Sequence, residues 1–222
     1  MNVVFESSIY SIQARGGISR TYSEIIPRIC ADESVKVTLV SLGKNLQPLP
    51  SHPRLRQINY SHYDDILRPR RIWRKVYGTM AAVALNGGKN KILHSTYFQS
   101  IGHWRGYRVT AVYDMIYEKY PHFFPEQLDD QLRKQKKQAF LESDLLICIS
   151  ETTSHELQDI YPEVKSKVIS IPLGYSSDIF LPVGQGQIPE PFQTKFPFFL
   201  YVGSRAKYKN FKDSSRSPRL RA

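Results

Sequence analysis

Short β-branched runs alternate with amphipathic helical stretches along most of this chain, and that alternation restricts the fold more than any other feature. Asn2 to Phe5, Val35 to Leu42, Lys91 to Ser95, Arg108 to Asp114, Leu145 to Ile149 and Val168 to Ile171 read as strands. The runs VTAV and LLICI lack polar alternation, as expected of strands covered on both faces. Between them, Ile18, Tyr22, Ile25, Ile26 and Ile29 fall on one helical face, and Pro125 to Glu142 opens with proline at a helical first turn. Glu151 to Ile160 follows Ser150, which is placed to cap it. Strands that alternate with helices imply a parallel, doubly wound α/β sheet of the Rossmann-like kind. In such sheets ligands bind outside the carboxyl ends of the strands, so the residues that follow each strand share one rim.

Several residues on that rim are candidates for chemistry. Gly16 and Gly17 sit between the first strand and the first long helix. Two glycines there either form a simple turn or let backbone N–H groups and the helix dipole approach an anion such as a diphosphate. Arg20, one turn in, either adds positive charge or is a solvated helix residue. Tyr113 and Asp114 end a central strand, where an Asp commonly holds loop backbone. The next ten residues, MIYEKYPHFF, are dense in aromatics, which suits either stacking on a sugar or base or the packing of a tight loop. His94, Ser95 and Ser150 end other strands, where capping and core roles are the ordinary ones. The histidines do not cluster with carboxylates at metal-ligand spacing, and no Walker sequence or G-x-S-x-G elbow is present. No metal or cofactor is expected.

A second phosphate-binding pattern lies near the end of the chain. Phe198 to Val202 is an apolar strand pattern that runs through Gly203 into a loop with Arg205, Lys207 and Lys209. Residues 173–197, rich in proline and glycine, read as a linker in front of it. Residues 212–222, KDSSRSPRLRA, have Leu220 as their only large apolar residue and read as a disordered basic tail. Of the net charge of +11, residues 204–222 contribute +6, so the basicity argues little for a nucleic-acid partner. A second basic group, Arg68, Arg70, Arg71, Arg74 and Lys75, accompanies Ile72, Trp73, Val76 and Tyr77 on a helical stretch from Ile66 to Leu85. It is either a solvated face or a surface that touches anionic membrane. The N-terminus has no signal-peptide pattern, and Cys30 and Cys148 stand alone in apolar surroundings, as reduced, buried thiols of a cytoplasmic protein do.

Taken in order, FESSIYSIQARGGISRTYSEI (5–25), ILHSTYF (92–98), VTAVYDMIYEKYPHFF (109–124), SDLLICISETTSHEL (143–157), VISIPLGYSSDIF (168–180) and FLYVGSRAKYKNF (199–211) resemble the retaining nucleotide-sugar glycosyltransferases of the GT-B fold, family 4 type. The resemblance implies two Rossmann-like domains facing a cleft, with the acceptor on the N-terminal side and the nucleotide-sugar donor on the other. Residues 1–172 would be the acceptor-side domain and 198–211 the opening of a donor domain whose remainder, with its Glu-x7-Glu motif, has no counterpart in this sequence. That reading expects a truncated, impaired enzyme.

By the same resemblance, Gly16 and Gly17 approach the donor diphosphate, and Arg205 and Lys209 clamp it from across the cleft. Arg20 and Ser150 are acceptor-side candidates. Tyr113 and Asp114 fall at the active-site floor, where the family often has His-Asp. The implied partners are a nucleotide-sugar and a saccharide or lipid-linked acceptor of polysaccharide biosynthesis. Two alternatives remain at this stage: a non-catalytic binding module, and one half of a split transferase.

Overall fold

The run NVVFE at the start of the chain carries large apolar groups on both sides of a pleat, and this sets the layering of the molecule. In the computed structural model it forms β1 (Asn2–Glu6), and Val3 to Phe5 are all buried. Val3 and Phe5 point into a cluster with Ile9, Tyr22, Ile26 and Cys30, whereas Val4 points into another with Val40, Leu93 and Trp104. A strand whose alternate residues enter two different cores has packing on both faces. The structure describes residues 1–60, 90–98, 104–124, 126–177, 179, 180, 201–203, 209 and 211. Between residues 61 and 89 it also describes 72, 76, 79, 80, 83 and 85.

The other strands are β2 (Lys36–Ser41), β3 (Leu55–Asn59), β4 (Lys91–Ser95), β5 (Tyr107–Val112), β6 (Leu145–Cys148) and β7 (Lys167–Ser170). All pairings are parallel, in the spatial order β3-β2-β1-β4-β5-β6-β7. The helices are α1 (Ser8–Ile12), α2 (Gly17–Ala31), α3 (Ile116–Lys119), α4 (Glu126–Leu141) and α5 (Glu151–Ile160), with a 3₁₀ turn at Pro121–Phe123. The expected α/β Rossmann-like sheet is therefore present. The β1–β3 half grows to one side of β1 and the β4–β7 half to the other, so the order of the strands reverses between β1 and β4.

Two elements differ from the sequence reading. β3 was not expected; its LRQIN is an edge strand with mostly partly exposed residues, so it lacks a strong apolar alternation. The stretch from Glu6 to Gly17, read as loop, contains the single-turn α1, whose Ile9 and Tyr10 are buried against α2 and the sheet. A second core packs α4 and α5 on β5 and β6 through Phe140, Leu146, Cys148 and Leu157. Both cysteines are buried free thiols, as their apolar settings indicated. Among the described residues no helix is long and apolar enough to cross a membrane. The linker at 181–197, Arg205 and the tail from 212 lie outside the described residues, as do Arg68, Arg70, Arg71, Trp73, Arg74, Lys75 and Tyr77.

Candidate functional site

The reversal between β1 and β4 leaves a crevice at the carboxyl ends of the two strands, because the connections from each lead away in opposite directions. Glu6 closes β1 there. Its carboxylate is buried and draws donors from both sides of the crevice. The Ser8 backbone N–H and hydroxyl each donate at 2.8 Å. From the β4 side donate the Thr96 N–H at 2.6 Å, the Thr96 hydroxyl at 2.9 Å, the Tyr97 N–H at 3.2 Å and the Ser95 hydroxyl at 3.3 Å. Burial pushes this carboxyl above its ordinary range, and the hydrogen bonds from Ser8 and Thr96 pull the other way. With this many donors, the group acts as a fastener between the two halves of the sheet.

Sequence reasoning passed over Glu6. The available signal was a charged residue at the end of an apolar strand, followed by two serines with short hydroxyls able to meet it.

The glycine loop follows α1 and leads into α2. Gly16 is the extended residue preceding α2, with no side-chain cap on the helix. Gln13 partly substitutes, its Oε1 accepting from the Ser19 N–H at 3.4 Å. Among the described residues no protein group accepts from the N–H groups of Gly17 and Ile18. A Cβ built on Gly17 would meet nothing within 4 Å, so the loop faces open space. Together these leave the positive end of a 15-residue helix free to meet an anion at the strand-order reversal.

Aromatic and hydroxyl groups cluster where α2 packs on the ends of β1, β4 and β5. His94 stacks on Phe5 at 5.0 Å between ring centroids and meets Tyr22 edge-on at 5.6 Å. Desolvation lowers its imidazole to about 4, so His94 is neutral near pH 7 and acts as a packing group. The Tyr22 hydroxyl donates to the Ser95 carbonyl at 3.2 Å, and the Tyr22 ring lies 6.5 Å from that of Tyr113. Burial pushes the Tyr113 phenol up to about 12, which keeps it a neutral hydroxyl. Tyr113 is thus brought beside Tyr22 of α2.

Asp114, next to it, is exposed, and its Oδ1 accepts from the Ile116 N–H at 3.2 Å. That is the loop-holding role typical of Asp at a strand end. Below this loop Lys136 is buried, its Nζ donating to Glu118 Oε2 at 2.8 Å and to the Asp114 carbonyl at 3.1 Å. Tyr161 donates its hydroxyl to the other Glu118 oxygen at 3.3 Å. The aromatic segment 115–124 is partly packed and partly exposed. Tyr117 packs on Phe124 at 4.3 Å, while Tyr120 and Phe123 remain exposed at 45% and 40%.

The remaining candidates take ordinary structural positions. Arg20 is exposed and pairs with Glu24 at 2.9 Å, one helical turn on. Ser150 caps α5, accepting from the Thr153 N–H at 3.1 Å. Lys209 is exposed. A cavity lined by Arg108, Thr110, Ser143 and Glu142 lies between the sheet and α4, but at about 10 Å³ it holds no more than a water.

These features define a Rossmann-like α/β unit with an open, uncapped helix N-terminus at its strand-order reversal. No protein-family model matches the chain, and no curated protein matches it. Among solved structures it is similar to sucrose-phosphate synthase from Thermosynechococcus elongatus, with 16% identity and a TM-score of 0.58. The likeness covers 82% of this chain and 50% of that one, so the chain spans about half the length of the structure it matches. At this identity the shared property is the fold.

Proposed function

We propose that this chain is the acceptor-side, Rossmann-like half of a GT-B nucleotide-sugar glycosyltransferase. It would move a sugar, with retention, to a saccharide or lipid-linked acceptor. The observation that carries the reading is the open space beside Gly17 at the N-terminus of α2, next to the Gln13 amide that lies against Gly16, on the strand-end side of a sheet whose order reverses between β1 and β4. A nucleoside diphosphate gains negative charge as the glycosidic bond breaks, and free N–H groups at a helix N-terminus stabilise that charge without reorganisation. Arg205 and Lys209 would add fixed cations from the far side. Tyr113 offers a neutral hydroxyl to a sugar, Asp114 an exposed carboxylate, and Arg20 and Ser150 line the acceptor side. The fold shared with sucrose-phosphate synthase supports this assignment.

The activity of a complete two-domain enzyme is part of the proposal, because the chain covers only half of the structure it matches. A second reading is a unit that binds its ligand without chemistry while a separate polypeptide supplies the donor half. Incubation of the chain with a panel of nucleotide-sugars and oligosaccharide or lipid-linked acceptors, read by mass spectrometry, tests the first. Sugar transfer that disappears in Gly17→Val supports it. Transfer unaffected by that change removes the glycine loop from the mechanism. Absence of transfer combined with retained nucleoside diphosphate binding selects the second reading.

A further inference from the structure

The segment that follows β5 is fixed in place, yet it keeps three rings at the surface. Met115, at its start, is fully buried. The Lys119 and Tyr120 N–H groups donate to the Met115 and Ile116 carbonyls at 3.0 and 2.9 Å, and the Phe123 and Phe124 N–H groups to those of Tyr120 and Pro121 at 3.2 and 3.0 Å. Two ion pairs tie the segment to the helices behind it, Glu118 to Lys136 of α4 at 2.8 Å and Lys119 to Glu156 of α5. Tyr117 packs against Phe124. Tyr120, His122 and Phe123 are exposed instead, and they form one group. Their ring centroids are 6.4 Å apart for Tyr120 and His122, 4.2 Å for His122 and Phe123, and 6.3 Å for Tyr120 and Phe123. Rings held on an ordered backbone make a surface that needs little rearrangement to bind.

Size and charge select the ligand. Tyr120 and Phe123, exposed at 45% and 40%, together present on the order of 200 Å². A stable protein interface takes about 800 Å² from each partner, so the patch suits a small molecule. It also has no spare ammonium among the described residues. Lys119, 5.8 Å from the Tyr120 centroid, and Lys136 beneath are each held by a carboxylate. A phosphate-bearing base or an anionic headgroup would lack its cation here. An uncharged apolar face rimmed by hydroxyls is what remains. A pyranose has such a face: its axial C–H groups carry partial positive charge that the π-face of a ring attracts. Its hydroxyls can meet the Tyr120 hydroxyl and the His122 nitrogens. The segment stands at the carboxyl end of β5, on the rim where ligands of such sheets bind, and β5 is two strands from β1. We propose that Tyr120, His122 and Phe123 form a stacking subsite for an uncharged pyranose of a saccharide. The inference rests on the transferase reading only in taking that saccharide to be the acceptor.

Saturation-transfer difference NMR of the full chain with the methyl glycosides of glucose, galactose and mannose tests it. At least one glycoside is expected to receive saturation, strongest on the protons of one ring face, with millimolar affinity. Tyr120→Ala and Phe123→Ala are expected to weaken binding at least fivefold with unchanged unfolding midpoints. Phe123→Leu keeps an apolar side chain without a ring and should lose as much, whereas Phe123→Trp should retain binding. UDP titrated into the same samples reports the glycine loop separately, and all four variants are expected to bind it as the unaltered chain does.

No saturation of any glycoside overturns the inference. So does equal glycoside binding by Phe123→Ala or Phe123→Leu, since the sugar would then not stack on that ring. A concentration-dependent dimer that Phe123→Ala abolishes also overturns it, because the rings would meet a second copy of the chain. Glycoside binding without UDP binding keeps the subsite and removes the transferase reading, and UDP binding without glycoside binding does the reverse.

Discussion

Replacing Lys136 by Met removes one charge from the interior while keeping the length of the side chain. The Lys136 and Glu118 side chains are 1% and 4% exposed, and their ion pair closes at 2.8 Å. Without the ammonium, Glu118 keeps only the Tyr161 hydroxyl at 3.3 Å, and the Asp114 carbonyl loses its donor at 3.1 Å. Breaking a buried pair in this way costs about 3–5 kcal/mol, because an uncompensated carboxylate remains in a dry site. Loss of the cation over the Phe98 and Tyr117 rings, at 5.4 and 5.6 Å, adds to this.

A domain of this size loses about 2–4 °C per kcal/mol, so the midpoint should fall by roughly 6–20 °C. Urea unfolding of the single and double variants measures the coupling directly. Lys136→Met with Glu118→Met is expected to recover most of the loss, since an apolar pair of similar volume replaces two desolvated charges. A cost below about 1 kcal/mol for Lys136→Met, or additive single-variant effects, would refute the reasoning. It would show that water reaches the pair and that the loop after β5 is not held from below.

Two further outcomes follow from close contacts on β4. Gly106→Ala is expected to destabilise by about 1–3 kcal/mol in the same urea assay, because its Cβ would stand 2.2 Å from the Lys91 carbonyl oxygen, a backbone atom that cannot swing aside. An unchanged midpoint would mean that β4 and the 104–106 turn separate freely. His94 is lowered from 6.5 to about 4 by burial, so between these values the unfolded chain binds a proton that the folded one does not. Stability is therefore present above about pH 6.5 and is lost as pH falls toward 4, by on the order of 3 kcal/mol. His94→Gln should flatten that part of the stability–pH curve, and parallel curves for the two proteins would contradict the assignment.

Much of the architecture was legible because buried parallel strands are written as uninterrupted apolar runs. VTAV in β5 and LLIC in β6 needed no tertiary context. β3 was not legible: an edge strand pairs on one side only, and Arg56 and Gln57 interrupt its alternation. Gly16–Gly17 could be found from its place after the first strand, but the open space beside Gly17 is a property of the folded loop. Glu6 and Lys136 were missed for a common reason. A charged residue reads as solvent-facing until its partners are known, and those partners come from the end of β4 and from the segment after β5. His94 similarly reads as a rim residue in sequence. Only its stacking on Phe5 and beside Tyr22 shows it to be a packing group.

The central claim is that the uncapped N-terminus of α2 receives a diphosphate. Calorimetric titration of the chain with UDP, GDP and ADP, set beside the same titration of Gly17→Val, tests it most directly. The Gly17 Cβ direction is empty, so the variant should fold as the unaltered chain does while filling the space the phosphates need. The account expects one nucleoside diphosphate to bind the unaltered chain and affinity to fall at least tenfold in Gly17→Val. Binding of equal strength in the two proteins, or none in either, would contradict it.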